Sequence, residues 1–384
     1  MTRISSICLA ISLLVGASLG TTNPAHATGR FFADSADVTV TVRAHRILTV
    51  WRDGRATLTV QPVVEATGGD AAGRLGYILP VHGLPELAPA DGAVFADLFD
   101  VSSPTVLTQK REPGDGCNGE LLLLDEFFQP SVDAVVGTPS PDATPTILSP
   151  ATAAAAESWL KAEGLAYTAD DIAALEAELD GGARLVGVSF SRTGERTEPA
   201  PVAVSFFEPP DIRLPLALAA AAPATDGLAE VVIFVLHDKR FRILNYGSED
   251  LVEVATGVRD QLAAGQAGDY DRVIDGTTAR AGGRVFITEM ALDLHADGIE
   301  PGAALAALMD DDISFLTRLH ARTPAAALAD AVVTFAKDGP EVAPEAVVPT
   351  GGVALGLGAG LLLALGFLRR RRLLGPSAPA RAGA

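Results

Sequence analysis

Gly351 to Leu368 is a run of 18 residues without a charge, and Arg369, Arg370, Arg371 and Arg372 follow it at once. No other feature of the 384-residue chain restricts its folding as much. A helix rises about 1.5 Å per residue, so the run reaches about 27 Å, close to the apolar thickness of a bilayer. Val347, Val348 and Pro349 extend it at the start. Four adjacent guanidinium groups are costly to translocate and hold their end in the cytoplasm. They also seldom abut the helix of a soluble core. The expectation is a transmembrane helix over residues 347–368 and a basic cytoplasmic tail over 369–384. Gly352, Gly356 and Gly360 recur at every fourth residue, a spacing that lets two such helices approach closely, although glycine is common in membrane helices anyway.

The other end matches. Arg3, the short apolar stretch Ile7 to Ala17 and the small-residue site Ala25-His26-Ala27 have the pattern of a secretory signal peptide over residues 1–27. Neither residues 1–27 nor 347–384 contain Asp or Glu, and together they hold six of the 29 basic residues. The segment between them therefore carries 23 basic and 48 acidic groups. Apolar, basic ends around an acidic middle place the body outside the cytoplasm, anchored by a single pass through the cell membrane. A net charge of −19 argues against a nucleic-acid partner, which needs a basic face to meet phosphates. Asp338 to Glu345, with Pro340 and Pro344, reads as part of a stiff stalk over residues 339–346.

The body, residues 28–338, reads as α+β, mostly antiparallel sheets with a few helices. Val38 to Val42 alternates with period two, and Arg46–Trp51 and Ala56–Val64 flank Asp53-Gly54, a hairpin turn signal. Further strands are expected at 75–81, 105–110, 184–191, 202–207, 212–218, 231–236 and 284–290. Val231 to Leu236 is apolar on both faces, as a central strand is. Helices are expected at 92–99, 149–163, 168–179, 270–281 and 313–321. Thr168 stands as the N-cap of the third of these, and Gly181-Gly182 ends it. The Gly- and Pro-rich stretch 129–150 marks a candidate sub-boundary.

Several stretches, taken in order, resemble a bacterial secreted family catalogued as domain of unknown function 2330. They are Tyr77-Ile78-Leu79-Pro80-Val81; Ser158-Trp159-Leu160 with Gly164-Leu165-Ala166-Tyr167; Val231 to Leu236 with Asn245-Tyr246; Tyr270-Asp271 with Arg284 to Glu289; and Phe315 to Pro324. The resemblance covers about residues 30–335 and implies an exported envelope protein without assigned chemistry. Family members often carry cysteines near the mature N-terminus, whereas Gly29-Arg30-Phe31-Phe32 has none. Pro349-Thr350-Gly351-Gly352, the apolar run and the arginine cluster also resemble bacterial sorting tails, which implies cleavage near the start of the helix.

Candidate chemistry is sparse. Asp293, His295 and Asp297 alternate, so an extended backbone from Met290 would put all three on one face, near Glu289, as ligands for a divalent cation. Ser189 in Gly187-Val188-Ser189-Phe190-Ser191 lacks the second glycine of a nucleophile elbow and reads as a strand serine. Asp310-Asp311-Asp312 reads as a cap before a helix at Ile313. Arg318 and Arg322 around His320 suit internal ion pairs in so acidic a body. Cys117 alone remains after loss of Cys8 with the signal peptide, either as a free thiol or as a link to another chain. No cofactor motif is present. The expected function is that of a membrane-anchored envelope protein with a binding or structural role. The alternative is a metal-assisted envelope hydrolase using Asp293, His295 and Asp297. Self-association has two routes, through Gly352, Gly356 and Gly360 or through Cys117.

Overall fold

The computed structural model describes residues 30–350, apart from 53, 70–71, 113–120, 132–141, 208–211, 215, 217–226, 329–330 and 336–340. The expected signal peptide, the apolar run from Gly351 onward with its glycines, the basic tail and Cys117 lie outside the described residues.

The segment between Arg52 and Arg55 does close a hairpin. Strand β1 (Thr39–Arg52) folds back as β2 (Arg55–Thr67), with Arg52 opposite Arg55 and Gly54 at a φ of 71°, which only glycine adopts without strain. Alternation then sorts the side chains of β1. Ala44, Leu48 and Val50 enter one apolar cluster, and Ile47 and Trp51 enter another. The hairpin is the middle of a nine-stranded sheet. On one side β3 (Leu228–His237) runs parallel to β1, as its doubly apolar sequence requires of a central strand, and β5 (Phe315–Pro324) and β4 (Val285–Asp293) continue antiparallel. On the other side lie Val202–Phe207 and the short edge strand Glu86–Ala88. Most pairings in the molecule are antiparallel, and the class is α+β.

One face of this sheet shares a core with a four-stranded sheet containing Gly73–Val81 and Arg184–Arg192; Ile47, Trp51 and Val60 pack with Tyr77, Val188 and Phe190. Helices Ala153–Ala162 and Ala169–Asp180 cover the smaller sheet through Leu160 and Leu175. A capping box between Thr168 and Asp171 starts the second helix, as its sequence predicts. Gly187 admits the Trp159 ring, since a Cβ there would stand 2.6 Å from Cε2. Helix α1 (Val94–Ser102) lays Phe95, Leu98 and Phe99 on the large sheet against Leu48 and Phe234. Helices α2 (Leu251–Ala263) and α3 (Tyr270–Arg280) pack Val254, Val258 and Ile274 against Ile287.

Four expectations change. Residues 313–321 are not a helix: β5 spans Phe315–Pro324 and is bonded on both sides, to β3 and β4. Ile313, Leu316 and Leu319 have helical spacing, but both faces of a central strand are buried, so spacing there carries no period. Asp310-Asp311-Asp312 accordingly forms a turn, in which Asp310 Oδ1 accepts from Asp312 N–H at 3.0 Å. The stretch 129–150 does not divide the body, because β1 and β2 share one sheet with β3, β4 and β5. Residues 345–350, expected as stalk and the start of a membrane helix, are instead a strand parallel to Thr105–Glu112. Val342 exchanges two backbone hydrogen bonds with Ala291, and Ala346 is buried in the α2–α3 cluster. Helix α2 and strand Leu121–Phe128 were not expected from the sequence at all. Among the described residues, no helix is long and apolar enough to cross a membrane.

Candidate functional site

Charges collect in two places on the large sheet. The first is sealed. Arg318, His320 and Arg322 are alternate residues of β5 and so share one face. Glu289 of β4 is completely buried; it accepts from Arg318 Nε at 2.6 Å and from Tyr270 Oη at 2.8 Å, and its Oε1 lies 2.7 Å from His320 Nδ1. Glu230, opposite Arg322 in the register with β3, stands 3.1 Å from His320 Nε2 and accepts from Arg322 Nη1 at 2.9 Å. Asp275 of α3 takes Arg322 Nε at 2.9 Å. The guanidinium of Arg318 also lies 4.9 Å from the Phe99 ring centroid and 5.7 Å from that of Phe234.

Burial alone would raise the Glu289 carboxyl, but the facing charges of His320 and Arg318, with hydrogen bonds from His320 and Tyr270, outweigh it and hold it below the ordinary range. Burial would lower His320. The Glu289 charge, the hydrogen bonds to Glu230 and Glu289 and the Glu230 charge overcome that and keep the ring cationic. Two arginines and one imidazolium thus balance Glu289, Glu230 and Asp275. The Phe99 ring centroid also lies 5.2 Å from the guanidinium of Arg46 of β1, which is equally buried and donates to Gln61 Oε1 at 3.0 Å and Glu198 Oε2 at 3.1 Å.

His45, one residue earlier on β1, meets the opposite fate. It is fully buried, neither ring nitrogen has a hydrogen-bond partner among the described residues, and burial lowers it to about 3. The imidazole is therefore neutral.

The second place is open. At the tip of the hairpin a cleft of about 510 Å³ lies between the sheet and the segment 303–308 that follows α1 in space. Val50, Val94, Ala304 and Leu308 give it apolar walls; Thr57 and Thr59 add hydroxyls. Asp97 of α1 holds the wall, accepting from the N–H groups of Ala304 and Leu305 at 2.8 and 3.1 Å. Arg52 and Arg55 flank the mouth. Arg52 donates to Leu308 O at 3.1 Å and pairs with Asp310 at 2.9 Å. Arg55 pairs with Glu86, donates to Ser205 Oγ at 3.1 Å and lies 4.5 Å over the Phe207 ring.

Of the residues singled out from the sequence, Arg318, His320 and Arg322 share the sealed network with Glu289, while the others among the described residues lie apart from it. Strand β4 stops at Asp293, and residues 294–298 turn, so the alternation that would align Asp293, His295 and Asp297 ends before it begins. Asp293 Oδ1 accepts from the N–H groups of His295 and Ala296 and from Ser314 Oγ, which makes it a turn cap. Glu289 belongs to the sealed network. Among the described residues, no three His, Cys, Asp or Glu side chains are grouped to hold a metal ion. Ser189 lies in a strand and accepts from Arg74 Nη2 at 2.9 Å. Arg318 and Arg322 make internal ion pairs, as the acidic body suggests. The cleft was not read from the sequence; a two-residue turn between Arg52 and Arg55 was its local sign.

Fold and site together define an α+β protein with an ionic core and, among the described residues, an open amphipathic cleft. No family model matches the chain, and no curated protein matches it. Among solved structures, that of baculovirus P35 aligns over 53% of this chain and 66% of its own length, at 13% identity and a TM-score of 0.31, a likeness too loose to carry any argument.

Proposed function

We propose that this chain is an exported protein of the bacterial cell envelope, held by residues 351–368, whose acidic body binds a ligand rather than transforming one. One observation carries the first part: the charge-free run Gly351–Leu368 ending in four arginines, with a signal-like segment at the opposite end. The family resemblance points the same way. Where the protonation states lie supports binding over catalysis. Glu289 and His320, whose protonation is strongly displaced, are sealed in the sheet, whereas catalytic groups must reach a substrate. The cleft at the hairpin tip, which does reach solvent, has no histidine or cysteine in its lining, and its Ser205 hydroxyl is bonded by Arg55. Pairing between anchors through Gly352, Gly356 and Gly360, or between chains through Cys117, belongs to the same reading.

Fractionation of cells producing the full-length chain with a tag after Ala384 tests the proposal. The expected product is shortened at its N-terminus, resists alkaline extraction from the membrane, and loses its body but not its tag to protease added outside. Recovery of the unshortened chain in the soluble cytoplasm would overturn it.

A further inference from the structure

We infer that the cleft at the hairpin tip is a site for a small amphiphile with one oxyanion head, a carboxylate or a phosphate, and a short apolar body. This deepens the binding role proposed above and rests on it. Arg52 and Arg55 are direct cross-strand partners, and like charges so placed repel each other. Both line the same cleft in a chain with 48 acidic and 29 basic residues. Their present partners come from elsewhere in the chain and are loosely held: the Asp310 side chain is 44% exposed and that of Glu86 64%. Ion pairs this exposed contribute little, so an entering oxyanion exchanges with them readily. Two guanidinium forks suit the oxygens of either head group.

The rest of the cleft asks for an apolar body. Val50, Val94 and Leu308 line it beside the hydroxyls of Thr57 and Thr59; the one carboxylate in the lining, Asp91, accepts from Ala93 N–H at 2.8 Å, and Phe207, 70% exposed, offers a ring beside the Arg55 guanidinium. Its volume lies within the range of small-ligand sites. A bare inorganic anion gains nothing from these walls and meets a body of net negative charge.

Calorimetry on the full-length chain in lipid nanodiscs, with empty discs as blank, tests this. The probes are 4-phenylbutyrate, 4-phenylbutyl phosphate, 4-phenylbutanol, 4-phenylbutylamine and inorganic phosphate. At least one of the two anionic amphiphiles is expected to bind with one site per chain, and the tighter of the two names the head group. The alcohol should bind about tenfold more weakly or worse, since it offers no charge to the guanidiniums, and the amine and inorganic phosphate should show no binding. Arg52→Gln with Arg55→Gln should weaken the anion about tenfold or more. Ala307→Trp, which leaves both arginines but fills the cleft, should abolish binding. Arg259→Gln, at an exposed pair with Asp260, should change nothing. Absence of heat with both anions, equal binding of alcohol and anion, binding of the amine or of bare phosphate, or indifference to both cleft variants would each overturn the inference. Failure here with the expected membrane topology intact removes only the ligand class. Failure of the topology with binding intact removes only the envelope reading.

Discussion

The large sheet treats arginine in opposite ways in its interior and at the tip of its central hairpin. Arg318 on β5 has no exposed surface and meets Glu289, two aromatic rings and, at 3.4 Å, the Ser102 hydroxyl. Arg52 and Arg55 at the hairpin tip keep partly exposed side chains and partners that face water. Inside the sheet a guanidinium is tolerated only when its charge and donors are matched, so the matching groups become structural. At the tip no such demand exists, and the charge stays available to another molecule. A second contrast lies within the sheet. His45 and His320 are both fully buried, yet one is neutral and the other cationic, because carboxylates face only the second.

The largest expected effect breaks the sealed interior. Glu289→Leu leaves Arg318 and His320 buried without their carboxylate and should cost about 3–5 kcal/mol of stability by denaturant titration. A loss under about 1 kcal/mol would mean that the network is no more than a surface-like pair.

The pH dependence of the denaturation midpoint comes next, and its sign differs by group. The lowered Glu289 carboxyl stabilises the fold above its ordinary value of 4.5, and that contribution is lost as pH falls toward its folded value. The raised His320 stabilises below 6.5, and its contribution is lost as pH climbs through its folded value. The network is therefore strongest between 4.5 and 6.5. His45 works against this window. Below 6.5 the unfolded chain takes a proton that the folded ring refuses until about 3, so stability falls on acidification.

His45→Leu sharpens that contrast. It removes an unpartnered buried imidazole and should stabilise by about 1 kcal/mol at neutral pH, flattening the profile between 6.5 and 3. A steeper acid branch in this variant would place a counter-charge beside His45. The smallest effect belongs to the open tip, where Arg55→Gln should change stability by less than about 1 kcal/mol. A larger loss would show that the tip arginines are structural, like Arg318.

Much of the fold was legible where local rules decide. The turn between Arg52 and Arg55, the capping box at Thr168 and Asp171 and the central position of Val231–Leu236 all follow from neighbours within a few residues. Helix α2 went unread because Leu251, Val254, Ala255 and Val258 have the spacing but Gly257 and Thr256 interrupt the propensity. At Gly257 the reason is contact: a Cβ would stand 2.5 Å from Val273 of α3. The extended backbone that would align Asp293, His295 and Asp297 ends at a turn after Asp293, which alternation in sequence does not reveal.

By itself the sequence determined the separation of apolar, basic ends from an acidic body, the alternation of β1 and β2, and the closeness of Arg318, His320 and Arg322 along the chain, where the acidic body suggests internal ion pairs. Only the tertiary structure decided that residues 315–324 are a strand, that Glu289 and Glu230 meet His320 from 31 and 90 residues away, and that a cleft opens under Arg52 and Arg55. Periodicity and turn chemistry act over a few residues and are written in the chain. Charge neutralisation inside a sheet depends on which distant strands become neighbours, and that is set by burying the whole apolar surface at once.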